Sequence, residues 1–180
     1  MKAEKLVCKP VDSGNWKDLE SLFESKGGPS YCWCMPYRNM NKGGDRNDKS
    51  DKKASLKHYV DTKTPVGLLY YKDSDPVAWC SIAPRDTFTD LSGGEELKDV
   101  WSIVCFYVNR EHRKQGIMEE LISQASKYAK KNGAKVLEAY PVDPDSPSYR
   151  FMGFKPVFEK AGFSETHKIG KRRYGMIKKI

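Results

Sequence analysis

The turn at residues 108–118 holds the side chains best suited to chemistry on an anion. It reads Val-Asn-Arg-Glu-His-Arg-Lys-Gln-Gly-Ile-Met, after an apolar run and before a run with helical periodicity. Backbone N–H groups at such a strand-to-helix turn converge on one concavity, and the positive end of the helix adds to their field. Gly116 permits close backbone approach, and Arg110, Arg113 and Lys114 add positive charge. The pattern favours a pyrophosphate site, although it matches neither the dinucleotide fingerprint nor the P-loop. A plain solvated basic loop is the alternative.

A strand, a helix and a second strand must position this turn. Residues 100–108 are almost continuously apolar, as in a strand that is buried on both faces. Residues 116–129 repeat apolar side chains at helical spacing, and residues 135–140 read as the next strand. Together they predict a βαβ unit, in which the two strands are parallel and the crossover is right-handed.

Further strands and helices are predicted around this unit. The strands are expected at residues 5–11, 66–71, 76–82, 163–167 and 173–177, and the helices at residues 16–25, 53–61 and 155–161. Residues 39–52 are polar and predict a mobile loop, while residues 84–98 form a long connection typical of a functional rim or lid. Residues 1–180 contain no internal repeat, so they predict a single α/β domain with a mixed sheet.

Length, composition and charge exclude several classes of protein. The chain has 180 residues, of which 38% are hydrophobic, and this suits one globular domain. No apolar run approaches the roughly 18 residues of a membrane helix. The charged start is followed by only a short apolar patch, so we expect no signal peptide and a cytoplasmic location.

The whole net charge of +8 comes from residues 101–180, which hold 16 basic and 8 acidic side chains. This asymmetry indicates a polyanionic partner, either nucleic acid or a phosphate-rich cofactor.

Two motifs in these elements resemble those of the GNAT superfamily of acetyl-CoA-dependent N-acetyltransferases. The strand end Phe106-Tyr107-Val108 leads into Arg113-x-x-Gly116-x-Met118, where the superfamily has Arg or Gln, then x-x-Gly-x-Gly or Ala, at a helix start. The run Phe158-Glu159-Lys160-Ala161-Gly162-Phe163 resembles the superfamily's aromatic-Glu-Lys-x-Gly-Phe signature. Residues 79–85 and 138–144 are also similar to a bacterial branch of the superfamily.

The resemblance implies a mostly antiparallel sheet around a central parallel βαβ unit, flanked by helices. It also implies an enzyme that uses acetyl-CoA as co-substrate and no metal.

The resemblance assigns residues to two parts of acetyl-CoA. Backbone groups of Phe106, Tyr107 and Val108 would hold the pantetheine arm. The pyrophosphate would lie on the turn, at Arg113, Lys114, Gln115, Gly116, Ile117 and Met118. Met118 replaces the small residue that is usual at the last turn position. We expect the site to tolerate it, because backbone N–H groups bind the anion and the side chain can point away.

A second departure from the superfamily concerns proton transfer. Phe158 stands where many relatives have a Tyr that is proposed to protonate the departing thiolate, and a phenyl ring cannot do so. A thiol of ordinary pKa, about 8.5, leaves largely unassisted near neutral pH. Tyr140, at the end of the neighbouring strand, is the candidate catalytic acid. A core aromatic with a satisfied hydroxyl is the other interpretation of Tyr140.

The sulfur-rich and aromatic segment at residues 31–38 is a candidate acceptor site, because in the superfamily the region between the first two helices lines that site. The candidate substrate-binding residues are Tyr31, Cys32, Trp33, Cys34, Arg38 and Trp79. Arg38 could meet a carboxylate or phosphate of the acceptor. A packed aromatic plug is the alternative for the segment, and Cys-x-Cys without a matching Cys or His pair does not favour zinc. Cys80 and Cys105 lie in apolar strands and are expected to be core thiols.

Three functions are compatible with these features. The leading one is acetyl transfer from acetyl-CoA to an amine of a small-molecule acceptor, by direct attack on the thioester, in a monomer or homodimer. A protein or peptide acetyltransferase would want an acidic groove, but residues 1–100 hold 16 basic and 16 acidic side chains without a strong acidic cluster. A non-catalytic module that binds acyl-CoA or nucleic acid is a third interpretation, which Phe158 leaves open.

The basic turn at residues 168–173 is more typical of a solvated hairpin tip than of a nucleic-acid site, since no aromatic platform accompanies it. We therefore expect neither nucleic acid nor a membrane as partner.

Overall fold

Seven strands form one sheet in the order β1-β2-β3-β4-β5-β7-β6. A computed structural model describes residues 6–89, 91–94 and 96–180. The strands are β1 (Leu6–Pro10), β2 (Gly67–Lys72), β3 (Asp75–Pro84), β4 (Val100–Val108), β5 (Val136–Ala139), β6 (Ser164–Ile169) and β7 (Arg173–Lys179). The helices are α1 (Trp16–Glu24), α2 (Lys49–Asp61), α3 (Ile117–Lys131) and α4 (Lys155–Lys160). Within these residues no helix is long and apolar enough to cross a membrane.

The β4-α3-β5 unit is the only parallel connection in the described sheet, as the periodicity predicts. β4 pairs with β5 in parallel, whereas the other paired strands are antiparallel. α3 buries one face, with Leu121, Ile122 and Ala125 among its buried residues. The chain leaves the helix at Gly133, whose φ of +88° suits a residue without a side chain. The mixed, mostly antiparallel sheet expected from the sequence is confirmed.

The pairing of β4 changes halfway along the strand. Residues 100–103 pair with residues 136–139, and β5 then ends. On its other side, the register with β3 slips so that Ser81 faces Cys105 and Ile82 faces Ile103, which leaves Val104 as an extra residue. Such a bulge bends and twists the strand that carries it. Residues 105–108 therefore continue along β3 with a second edge that no described strand covers.

Helices cover both faces of the sheet. α3 and α4 pack on one face, in a core that includes Phe106 and Phe158. α1 and α2 pack on the other face, around Trp33 and Trp79. A smaller cluster that includes Val104 and buried Tyr140 lies beside the bulge on this second face.

Two predicted loops differ in the structure. α2 begins at Lys49, so the last residues of the loop expected at residues 39–52 are helical. The reason is the side chain of Asp48, which accepts hydrogen bonds from the N–H groups of Ser50 and Asp51 and so caps the helix. The connection expected at residues 84–98 begins with the last residue of β3 and a 3-10 turn at Arg85–Thr87. Asp90 and Glu95 of this connection, and the predicted strand start at Lys5, lie outside the described residues.

Candidate active site

A cleft of about 850 Å³ runs along the uncovered edge of β4. Its walls come from four segments that are distant in the sequence, at residues 27–37, 104–108, 112–119 and 150–157. The fold therefore brings the basic turn and part of the sulfur-rich segment to one site, which the sequence alone treats as two separate features.

The backbone of β4 presents polar groups to this cleft. The N–H of Asn109 donates to the carbonyl of Val77 on β3, at 2.9 Å. Because successive residues of a strand alternate their backbone groups between the two neighbours, those of Phe106 and Val108 point to the uncovered edge. The carbonyl of Val108 accepts from Nε of Arg113 at 3.0 Å. The N–H groups of Phe106 and Val108 are thus placed to donate to a ligand in the cleft.

The turn after β4 has the local geometry of an anion cradle. Gly116 adopts the left-handed conformation, with φ of +75°, immediately before α3. The amide oxygen of Asn109 accepts from the N–H of Glu111 and fixes the start of the turn. Arg113 and Lys114 line the cleft, and so do the first residues of α3. Of the nine residues that the resemblance assigns to acetyl-CoA, only Gln115 lies outside the lining, and its side chain donates to the carbonyl of Glu111.

The sulfur-rich segment supplies the opposite wall. Tyr31, Cys32 and Cys34 line the cleft, as the acceptor-site prediction requires. Trp33 and Trp79 do not reach it, because both are buried in the core beneath. Trp33 stacks with Trp16 at 5.9 Å, and Nε1 of Trp79 donates to Sγ of Cys34 at 3.1 Å. The two interpretations of this segment are therefore divided between its residues: some form the wall and others form a packed aromatic plug that supports it.

Arg38 also lies beneath the wall rather than on it. Its side chain is fully buried, and Nη2 donates to the carbonyl of Val66 at 3.0 Å and to Oγ of Ser81 at 3.3 Å. The guanidinium lies over the ring of Phe88, 4.2 Å from its centroid. Burial lowers the pKa of Arg38 to about 10, so the group stays cationic at neutral pH. Its Nε and Nη1 have no hydrogen-bond partner, and no carboxylate among the described residues forms a salt bridge with it.

Tyr140, the candidate acid, lies in the core and does not line the cleft. Its hydroxyl donates to Oε2 of Glu138 at 2.5 Å and lies 3.1 Å from Oγ of Ser102. Glu138 also accepts from Nε of Arg85 at 2.7 Å. Burial and the adjacent Glu138 carboxylate raise the pKa of Tyr140 well above its ordinary value. The structure thus favours the interpretation of Tyr140 as a core aromatic with a satisfied hydroxyl.

Phe158 is buried next to the cleft. Its ring packs against Phe106 and Phe163, with centroids 6.1 and 5.0 Å away. Gly153 packs so closely here that an added Cβ would lie 2.8 Å from the Phe158 ring. Val157, its neighbour in α4, lines the cleft instead. The ring at position 158 thus supports the cleft from beneath and offers it no proton donor of its own.

The cleft also contains residues that the sequence did not single out as site residues. Cys105 was expected in the core, but it is only half-buried and lines the cleft. The bulge explains the difference, because it turns Cys105 toward the α1 and α2 face at the point where β5 has ended. Tyr37, Phe151 and Phe154 line the cleft as well. Nothing in the local spacing of these residues marks them, since distant segments bring them together.

Two other surfaces are distinct from this site. The connection after β3 lines a crevice of about 580 Å³ at the opposite end of β4, with Val100 and Trp101. The basic turn between β6 and β7 holds Arg173 against the ring of Tyr149, at 5.0 Å. Nζ of Lys168 lies 3.7 Å from the centroid of Tyr174, so two aromatic rings accompany this turn, whereas the sequence analysis expected no aromatic platform.

Comparison with solved structures reveals the same fold. PaiA N-acetyltransferase from Thermoplasma acidophilum, in complex with coenzyme A, is 14% identical with a TM-score of 0.59, over 98% of this chain and 99% of that one. Ribosomal-protein-alanine N-acetyltransferase from Brucella melitensis is 16% identical with a TM-score of 0.58, over 97% and 99%. Aminoglycoside N-acetyltransferase AAC(6')-Iy, in complex with CoA, is 12% identical with a TM-score of 0.62, over 93% of each chain.

The sequence itself identifies the family. No curated protein matches the chain. The family model described as Acetyltransferase (GNAT) family matches residues 30–154, which is more than half of the chain and includes β4, the basic turn and α3. The protein therefore belongs to the GNAT family of acetyltransferases.

Proposed function

We propose that this acetyltransferase transfers the acetyl group of acetyl-CoA to the amine of a small-molecule acceptor. The observation that carries the proposal is the uncovered edge of β4, which ends in the basic turn within one cleft. Phe106 and Val108 offer backbone donors to an amide-rich pantetheine arm. Arg113 and Lys114 add positive charge where a pyrophosphate would lie. Two of the solved structures with this fold are complexes with coenzyme A, which supports the same ligand here.

The reaction that suits this site is direct attack by the amine. Its nitrogen attacks the thioester carbonyl carbon, the carbon–sulfur bond breaks, and coenzyme A leaves as a thiolate. The uncovered N–H groups of β4 can stabilise the oxyanion that develops on the carbonyl. The thiolate needs little help to leave near neutral pH, because an ordinary thiol has a pKa of about 8.5. Phe158 is therefore compatible with turnover.

The cleft favours a small acceptor over a basic peptide. Glu119 is the only carboxylate among the described residues that line it. A groove for a basic peptide would present more negative charge than this. We expect the enzyme to act in the cytoplasm, as a monomer or homodimer.

Thermal unfolding with and without acetyl-CoA tests ligand binding directly. Ligand at 100 times its Kd stabilises a protein by about 2.7 kcal/mol, a Tm rise of roughly 5–11 °C for a chain of this size. A panel of amines then follows, with release of free thiol as the measure of turnover. A short oligonucleotide replaces acetyl-CoA in a parallel measurement, and we expect no change in Tm from it.

Two matched variants separate the turn from the general positive charge. Arg113→Gln removes a cation from the cleft, whereas Lys171→Gln removes one from the exposed turn between β6 and β7. Only the first should reduce the Tm rise. Equal effects of both variants, or no rise at millimolar acetyl-CoA in the unmodified protein, would refute the assignment of the cleft to acetyl-CoA.

A further inference from the structure

Three of the five cysteines meet at the candidate active site. Cys32, Cys34 and Cys105 line the cleft, although they come from a loop and a strand that are 71 positions apart. Cys105 belongs to β4 and directly precedes Phe106, whose backbone faces the cleft. Among the described residues, no three His, Cys, Asp or Glu side chains converge in a way that could hold a metal ion. The chemistry of this cluster is therefore that of thiols.

The hydrogen bonds within the cluster have a direction. Nε1 of Trp79 donates to Sγ of Cys34, and the thiol of Cys34 donates to Sγ of Cys105 at 3.4 Å. The hydrogen bond to Cys105 and burial raise the pKa of Cys34 well above its ordinary value. Cys34 therefore keeps its proton and points it at Cys105. The thiol of Cys105 donates in turn to the carbonyl of Phe106 at 3.8 Å, so the hydrogen bonds run from the core to the backbone of β4 beside the cleft.

The buried cation Arg38 is connected to the thiol cluster through Ser81. Arg38 bonds to Ser81 of β3, and Ser81 lies directly opposite Cys105 in the register. The guanidinium is fully buried, and its Nε and Nη1 have no partner. A buried charge without a counter-charge is costly, and a nearby anion relieves part of that cost. Negative charge that develops on the sulfur of Cys105 when it attacks an electrophile would provide such an anion within the same cluster.

We propose that Cys105 is S-acetylated by acetyl-CoA when no amine acceptor is present. This inference rests on the proposed function, since it requires acetyl-CoA in the cleft. The thiolate sulfur of Cys105 attacks the thioester carbonyl carbon, a carbon–sulfur bond to Cys105 forms, and the bond to the sulfur of coenzyme A breaks. The thiolate of coenzyme A takes up the proton that Cys105 released. One thioester replaces another, so the step needs no oxidant or reductant and coenzyme A can reverse it.

The acetylated side chain would lie on the acceptor side of the cleft. Cys105 packs partly against the cluster formed with α1 and α2, on the same face as the wall of Tyr31 and Cys32. An acetyl group there takes up space that an amine acceptor needs. The modification therefore holds the enzyme in a blocked state until coenzyme A removes the acetyl group.

Intact-protein mass spectrometry tests the proposal. The full-length protein is incubated with acetyl-CoA and a phosphine reductant, without amine, and then digested for peptide mapping. We expect one added acetyl group on Cys105, removable with hydroxylamine as thioesters are. Cys8, which is half-buried on the other face of the sheet, serves as an internal control and should stay unmodified.

Variants of Cys34 test the direction of the hydrogen bonds. Cys34→Ala removes the donor and should slow labelling of Cys105 about 10-fold, as expected for loss of one hydrogen bond to a charged group. Cys34→Ser keeps a donor at this position and should restore most of the rate. Cys8→Ser changes a thiol on the other face of the sheet, leaves both members of the pair intact and should label as the unmodified protein does.

The possible results separate this inference from the proposed function. A Tm rise with acetyl-CoA but no acetyl group on Cys105 overturns the inference and leaves the proposed function intact. Labelling of Cys32 or Cys34 instead of Cys105, or an unchanged rate in Cys34→Ala, also overturns it. Absence of both the Tm rise and the label counts against the proposed function as well.

Discussion

Substitution of Tyr140 by Phe distinguishes a structural tyrosine from a catalytic one. The buried hydroxyl donates to Glu138 and contacts Ser102, so Tyr140→Phe removes a hydrogen bond to a carboxylate that is itself buried. Such a bond contributes about 1.5–3 kcal/mol to stability. Glu138 keeps its bond from Arg85, which limits the damage. At about 2–4 °C per kcal/mol for a chain of this length, Tm should fall by roughly 3–12 °C.

The activity of Tyr140→Phe should change little. Loss of a general acid typically costs about 10²–10⁴-fold in rate. We expect kcat within about 3-fold of the unmodified enzyme at a temperature well below the lowered Tm, because Tyr140 does not line the cleft. Tyr128→Phe is the matched control, since its hydroxyl has no hydrogen-bond partner among the described residues and its ring packs edge-on against Trp101. An unchanged Tm together with a 100-fold fall in kcat would refute this reasoning and make Tyr140 the acid.

Three further perturbations test other parts of the site and the core. Gly153→Ala should destabilise the fold by about 2 kcal/mol or more, because Gly153 has a φ of +87° and a new Cβ would lie 2.8 Å from Phe158. Urea unfolding measures the loss of stability, and a loss below about 0.5 kcal/mol contradicts this prediction. Arg113→Ala should weaken coenzyme A binding about 10-fold. Stability should change little, since the side chain is exposed. Calorimetric titration measures the affinity, and an unchanged Kd would show that this side chain does not contribute to the site. Stability should fall between about pH 8 and pH 10, because burial holds the pKa of Cys80 and Tyr140 above their ordinary values of 9.0 and 10.0. The unfolded chain releases these protons at a lower pH than the folded chain does. The stability that they contribute is therefore complete below the ordinary pKa values and is lost as the pH rises. Stability at pH 10 that equals or exceeds the stability at pH 8 contradicts this prediction.

The sequence predicts the elements that are locally encoded. The βαβ unit is visible because β4 is continuously apolar while α3 changes to a helical period. Gly116 marks the turn between them, because a backbone position with φ of +75° strongly favours glycine. The three features lie within one continuous stretch of the chain, so no distant contact is needed to infer them. The anion cradle could be proposed from the sequence for the same reason.

The proposed acceptor side could be predicted only in part. The sulfur-rich segment at residues 31–38 has no regular period, and its path depends on which aromatic rings fit beneath it. Trp33 and Cys34 adopt left-handed backbone conformations, with φ of +47° and +51°. Such a conformation is uncommon for side chains of this kind, so the surrounding packing must impose it. The burial of Arg38 is equally invisible in a sequence, because an arginine is exposed by default.

The bulge at Val104 determines which side chains of β4 face the sulfur-rich wall of the cleft. Side chains of a strand alternate between its two faces, so one extra residue inverts every position that follows it. Before the bulge, Trp101 and Ile103 pack on the α3 face; after it, Cys105 and Tyr107 pack on the opposite face. A regular β4 would place these last two side chains against α3 and turn Phe106 toward the face of α1 and α2. Since the strand is apolar on both faces, its sequence carries no alternation from which the inversion could be detected. The thiol cluster therefore depends on one extra residue of β4, and it lies where the end of β5 leaves the strand edge uncovered.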